Sequence, residues 1–274
     1  MPRNGTRLVE PNISKVPSMT APRAVHVRVV SPITTRGFRT DAAVKGLESP
    51  GLIVSASQID RGPGSIECEY EQAMAAPDTV RAIIDAERDG VDAVVIDCMG
   101  DPGMRPAREC VTIPVLGPGQ TAMHVAAMLG HRFSVVTVLR RLRPSFENAA
   151  AVHGLSGRMA SCRAVDIPVL ELESDMGATV AALVDEAAKA VEIDGAEAVI
   201  FGCTGLLGCA QAVREGLLAR GIDIPVVDPI PTAVNMAAAL VRSGLSQSKL
   251  TFPLPPEKPM PGYDMPDLRL QAAE

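Results

Sequence analysis

Tryptophan is absent from this 274-residue chain, and aromatic residues make up only 3% of it. Basic residues are outnumbered by acidic ones, 26 to 32, for a net charge of −6. Without stacking platforms or a basic stripe, the composition argues against a nucleic-acid partner. No stretch approaches the roughly 20 apolar residues of a membrane span. The opening residues, MPRNGTRLVEPN, lack the apolar core of a signal peptide, so the expectation is a cytoplasmic protein. The six cysteines form no CxxC pair and are too few for a disulfide scaffold. His26, His124, His131 and His153 show no HExxH or i,i+4 spacing, so no metal site is expected. GPGQT (Gly117–Thr121) lacks the lysine of a phosphate loop and reads as a turn.

What the chain does have is an internal repeat. DGVDAVVIDC (Asp89–Cys98) returns 105 positions later as DGAEAVIFGC (Asp194–Cys203). TVRAIIDA and TVAALVDEA precede the two copies with apolar residues at helical spacing. Gly90 and Gly195 suit the helix-ending position, and VDAVVID and AEAVIFG read as short buried parallel strands. IPVLGPGQTAMHVAAML (113–129) is echoed by IPVVDPIPTAVNMAAAL (224–240): a short strand, a turn, and a helix beginning near Thr121 or Thr232. TRLVEPN (6–12) and FSVVTVL (133–139) read as the strands that open the two halves. Strand–helix alternation predicts an α/β fold of two pseudo-symmetric, doubly wound lobes with parallel sheets and a cleft between them. The expected division is 1–130 for the first lobe, with C-terminal elements packing back on it, and 131–245 for the second. A Pro-rich extended tail covers 246–274, lying over the body or over a neighbouring subunit. The stretch 30–64 is irregular, and its strands are not placed.

Cys98 and Cys203 end equivalent strands, each before a glycine-bearing loop, CMGDPG or CTGLLG. A lone cysteine is usually a buried core residue. Matched thiols at matched strand ends point instead to chemistry. Backbone N–H groups in such loops favour anions, and the same field is expected to favour thiolate. A pair of acid/base groups on opposite sides of a pocket is what racemisation requires. One thiolate removes a proton from one face, and the opposite thiol returns one to the other. The carbanion is spread onto a neighbouring carbonyl, so oxyanion donors are needed, but no metal, pyridoxal lysine or nicotinamide is. Cys68, Cys110, Cys162 and Cys209 have no partners in the repeat and read as structural.

The stretches EPNISKVPSMT, GPGSIECEYEQAMAAPDTV, CMGDPGMRPARE, FSVVTVL, FGCTGLLG and the tail GLSQSKLTFPLPPEKPMPG resemble the aspartate/glutamate/hydantoin racemase superfamily, the hydantoin racemases most closely. The resemblance implies a cofactor-independent enzyme with Cys98 and Cys203 as its two catalytic thiols. It further implies substrate contacts at Asn12, Gly100, Thr204 and Gly205, with Thr137 a softer candidate. Ile13 stands where the family's N-terminal motif usually has Thr. Asp97 replaces a small apolar residue before Cys98; strand alternation suggests that its carboxylate points away. GCTGLLG replaces the usual GCAGM.

The expected function is racemisation of 5-monosubstituted hydantoins or related cyclic ureides such as allantoin. The partner is thus a small molecule, and the chain is expected to form a homo-oligomer. The alternatives are an aspartate- or glutamate-type amino-acid racemase, a single-cysteine maleate isomerase or decarboxylase, and a non-catalytic small-molecule sensor.

Overall fold

The computed structural model describes residues 23–256, 258–263 and 265. Two four-stranded sheets, each wholly parallel, form the two lobes. In the first, strands β1 (Val25–Ser31), β2 (Leu52–Gln58), β3 (Ala93–Ile96) and β4 (Val115–Leu116) lie in the order β2-β1-β3-β4. In the second, β5 (Phe133–Thr137), β6 (Met159–Ala164), β7 (Ala198–Phe201) and β8 (Val226–Val227) repeat that order as β6-β5-β7-β8. The central strands β3, β5 and β7 are short, rich in Val and Ile and buried on both faces, as parallel strands under helices must be, while the edge strands β2 and β6 are partly exposed.

Among the described residues, eight α-helices cover the sheets: α1 (Asp41–Val44), α2 (Glu69–Arg88), α3 (Met104–Cys110), α4 (Pro118–Leu129), α5 (Arg143–Val152), α6 (Met176–Glu192), α7 (Ala210–Leu218) and α8 (Pro229–Arg242). Strand alternation sorts their partners. Val94 and Ile96 of β3 point to α2 and α3, where they meet Ile83, Ile84 and Ala107. Their neighbours Ala93 and Val95 point the other way, onto Ile230, Ala233 and Ala237 of α8. In β7, Val199 and Phe201 meet α6 and α7, while Ala198 and Ile200 meet Ala122, Met123 and Ala126 of α4. The last helix of each half therefore seals the sheet of the other half. Each lobe's core is completed by the opposite half of the repeat.

The repeat places two registers in common. Asp97 N–H donates to the Val30 carbonyl at 2.8 Å, and Gly202 N–H donates to the Val136 carbonyl at the same distance. Residues 97 and 202 are thus structural counterparts, as are Cys98 and Cys203. The first-lobe strand in the place of β5 is β1, so the opening strand of the repeat is Val25–Ser31; the stretch 6–12 lies outside the described residues. Both helices expected near Thr121 and Thr232 begin earlier, at Pro118 and Pro229, because proline without an N–H is at home in a first turn.

After α8, residues 246–252 lie against the first lobe. Gln247 accepts from Val115 N–H at 3.3 Å and donates to the Ile113 carbonyl at 2.7 Å, so its amide stands in for a neighbouring strand at the edge of β4. Lys249 Nζ caps the end of α3 through the Arg108 and Glu109 carbonyls. Phe252 is buried beneath the Arg105 and Arg108 guanidinium groups.

Candidate active site

The carboxyl ends of both sheets open onto one cleft of about 580 Å³. Cys98 and Cys203 both line it, one from each lobe, with Gly100 and Thr204 beside them. A thiolate at Cys203 would raise the pKa of Cys98 further. Ile33 and Phe38 line the cleft from the segment after β1, and Leu142, Phe146 and Ala149 from α5 and the turn before it.

Each thiol is served by its own loop. Gly205 N–H donates to Cys203 Sγ at 3.3 Å, in the short 3-10 turn that follows β7. Gly100 N–H plays the same part for Cys98. Gly100 is held in turn by Gln72 of α2, which donates to its carbonyl at 2.8 Å. A Cβ on Gly100 would lie 2.3 Å from Gln72 Oε1, so a side chain there would displace the Gln72 amide from this carbonyl. The expectation of depressed thiol pKa values does not hold. Burial pushes Cys203 up to about 12, against the pull of Gly205 N–H, and burial pushes Cys98 up as well. Each thiol is therefore held mainly protonated, and each thiolate, once formed, is a strong base.

Asp101 organises the first loop. At φ +50° its backbone is left-handed. Its carboxylate accepts from Gly119 N–H at 2.9 Å and Gln120 N–H at 2.8 Å, at the start of α4. GPGQT is therefore the first turn of a helix that binds a carboxylate of the protein itself. Burial nevertheless pushes Asp101 up to about 7, against the pull of those two N–H groups. The second half makes the mirror arrangement. Asp228, preceding α8, accepts from Gly208 N–H of the second loop at 2.8 Å.

Asp97 does not point away from the site. Its buried carboxylate accepts from Ser31 Oγ at 2.8 Å and from Arg39 Nε at 2.8 Å, and its charge raises both thiols. Arg39 was invisible in the sequence. It sits 58 residues away, in a segment without regular periodicity. Thr137 is fully buried, with its hydroxyl donating to the Gly202 carbonyl at 3.3 Å, and is not among the residues lining the cleft. Gly205 contributes its N–H to the thiol and is likewise not in the lining. Asn12 lies outside the described residues. His124 is exposed on α4, its ring 5.8 Å from that of His153, which does line the cleft. Among the described residues no cluster of three metal-ligating side chains occurs, and no helix is long and apolar enough to cross a membrane.

Comparison with known proteins agrees with this architecture. Residues 29–237 match the family model described as Asp/Glu/Hydantoin racemase. The chain is 36% identical over 235 residues to a hydantoin racemase of Pseudomonas sp. (strain NS671), covering 85% of this chain and 92% of that one. It is 36% identical over 246 residues to a hydantoin racemase of Rhizobium meliloti, covering 87% and 98%. Among solved structures, an allantoin racemase from Klebsiella pneumoniae superposes with a TM-score of 0.81 at 32% identity, covering 87% and 96%. A shared fold, a shared family model and this identity over nearly whole chains lead to one conclusion: the chain belongs to the Asp/Glu/hydantoin racemase family and is an isomerase of the racemase class.

Proposed function

We propose that the protein racemises 5-monosubstituted hydantoins or closely related cyclic ureides, without a cofactor, by a 1,1-proton transfer between Cys98 and Cys203. The observation that carries this reading is the position of the two thiols, at equivalent strand ends of the two lobes and on one cleft. In the forward direction one cysteine is thiolate and the other thiol. The thiolate takes the proton from C5 of the ring, and the electron pair moves onto the adjacent carbonyl oxygen as an enolate. The opposite thiol then delivers its proton to the other face and is left as the thiolate. For the antipode the roles reverse, so no net proton is gained or lost over the cycle. In this reading Gly100 and Thr204, which line the cleft, meet the ring carbonyls and the developing oxyanion, while the Gly100 and Gly205 N–H groups serve the two thiols.

The raised thiol pKa values fit this chemistry. Burial makes each thiol a weaker acid than a free cysteine. Its conjugate base is correspondingly better matched to a weakly acidic C–H bond. A cyclic ureide brings carbonyl and N–H groups, but no fixed charge that a buried pair of thiols must balance. The relatives named above act on hydantoins and allantoin, ring systems that share this polar outline.

The test is the loss of optical rotation from single enantiomers of a hydantoin panel, of allantoin, and of free aspartate and glutamate. Racemisation of one or more cyclic ureides, and none of the free amino acids, is expected. Turnover of the amino acids alone would replace the reading with the amino-acid racemase alternative.

A further inference from the structure

Where the two thiol-bearing loops approach each other, one guanidinium joins them. Arg39 Nε donates to Asp97 Oδ2 at 2.8 Å and Nη2 to Asp97 Oδ1 at 3.3 Å. The same Nη2 donates to the Thr204 carbonyl at 2.7 Å. Thr204 returns its hydroxyl to the Asp97 carbonyl at 3.1 Å. The residue before Cys98 and the residue after Cys203 are thus tied together across the cleft. The side chains of Arg39 and Asp97 are only 6% and 0% exposed. A planar fork can meet all three acceptors at once, whereas an ammonium acts as a point charge.

The bridge breaks the pseudo-symmetry of the site. The counterpart of Asp97 is Gly202, where a Cβ would lie 2.5 Å from Thr137 Cβ, so no carboxylate can stand there. Buried ion pairs are weak devices for stability, since apolar side chains of similar volume often do as well. Their better-attested use is to fix a register.

We propose that Arg39 is a positioning residue for the proton relay: by tying the end of β3 to the turn after β7, it fixes the span between the Cys98 and Cys203 thiols. This rests on the two-thiol reading above. The surrounding charges agree with a tuned, unequal pair. Cys203 feels Arg39 lowering its thiol pKa against burial, Asp97 and Glu67, while Cys98 faces Cys203, Asp101 and Asp97. Arg39 also acts on Asp228, whose carboxylate holds the Gly208 end of the second loop.

The experiment compares wild type, Arg39→Lys, and the paired variant Arg39→Met with Asp97→Ala. The pair removes both buried charges together, and the lysine variant keeps the charge but loses the fork. Folding is followed by circular dichroism, turnover of an enantiopure hydantoin by optical rotation, and local opening by amide hydrogen exchange. A misplaced span is expected to lower kcat about tenfold to a hundredfold. KM should change less, and solvent deuterium should enter the unreacted enantiomer more often per inversion. Amide exchange should rise at residues 97–103 and 203–208 alone, with Arg39→Lys intermediate. A folded pair with wild-type kcat and unchanged exchange in both segments overturns the proposal. So does a uniform rise in exchange with a matching fall in Tm, since that is a merely structural role. If the two-thiol reading itself fails, single cysteine variants keep racemising, while the amide-exchange arm still reports on the tie.

Discussion

Asp101 shows how a side chain that touches no reacting atom can control one that does. Its carboxylate holds the first turn of α4 while its backbone carries the loop that begins at Cys98. Its pKa in the folded protein is raised to about 7 from an ordinary value of 3.8. For an acid raised in this way, the stabilising contribution is complete below pH 3.8 and is lost as pH rises toward 7, because the native state binds the proton more tightly than the unfolded chain. The slope from this one group is at most about 1.4 kcal/mol per pH unit. Asp101→Asn should therefore have a Tm that falls less between pH 4 and 7 than that of wild type, as read by thermal melts across that range. Equal slopes for the two proteins would remove Asp101 from the pH response. The cysteines, glycines and loops of the site were legible at the residue scale, because the repeat marked Cys98 and Cys203 twice over. The tie between Asp97 and Arg39 was not. A single arginine in a non-periodic stretch carries no local signal, and only the parallel register of β1 beside β3 brings the end of one strand to the other.

At the scale of elements, the first turn of α4 is built without room to spare. A Cβ on Gly117 would lie 2.2 Å from Asp101 Cγ, and a Cβ on Gly119 would lie 2.2 Å from the Met99 carbonyl. The second contact is with backbone, which cannot swing aside, and Met99 directly follows Cys98. Gly119→Ala should cost about 1–3 kcal/mol, as overpacking does, and should lower racemisation more than stability by shifting the Cys98 loop. A thermal melt beside an activity assay checks this, and a variant with wild-type turnover would show that the loop is not coupled to α4. In the sequence GPGQT reads as a turn, since it lacks a phosphate-loop lysine, and its counterpart in the second half, Asp228–Thr232, carries no equivalent glycines. The reason is now visible: in the second half the carboxylate comes from the helix start, at Asp228, and the loop supplies the N–H. The strand β6 left little signal either, since MASCRA mixes small, polar and charged residues while lying on a sheet edge.

For the molecule as a whole, the exchange of last helices matters most. Ile230, Ala233 and Ala237 of α8 complete the core of the first sheet, and Ala122, Met123 and Ala126 of α4 complete that of the second. Neither half holds its own full set of apolar contacts. A fragment ending at residue 130 should accordingly fail to fold, and the intact chain should unfold in one transition, with circular dichroism and thiol exposure changing together. Ile230→Ala should cost about 2–5 kcal/mol although it is more than 100 residues from the strands it covers. Two separate transitions would contradict this interdependence. The paired lobes themselves were readable from the repeat, since period and strand type both recur. The exchange was less so, because apolar periodicity shows that a helix face is buried and not against which sheet.

The central claim concerns two sulfurs that act on one carbon from opposite sides. It is tested most directly by deuterium entry at C5 of each enantiomer of a hydantoin in D₂O, measured separately for Cys98→Ser and Cys203→Ser. The account predicts that neither variant interconverts the enantiomers, that one exchanges only the first enantiomer, and that the other exchanges only its mirror image. A single-cysteine variant that still inverts its substrate would contradict it.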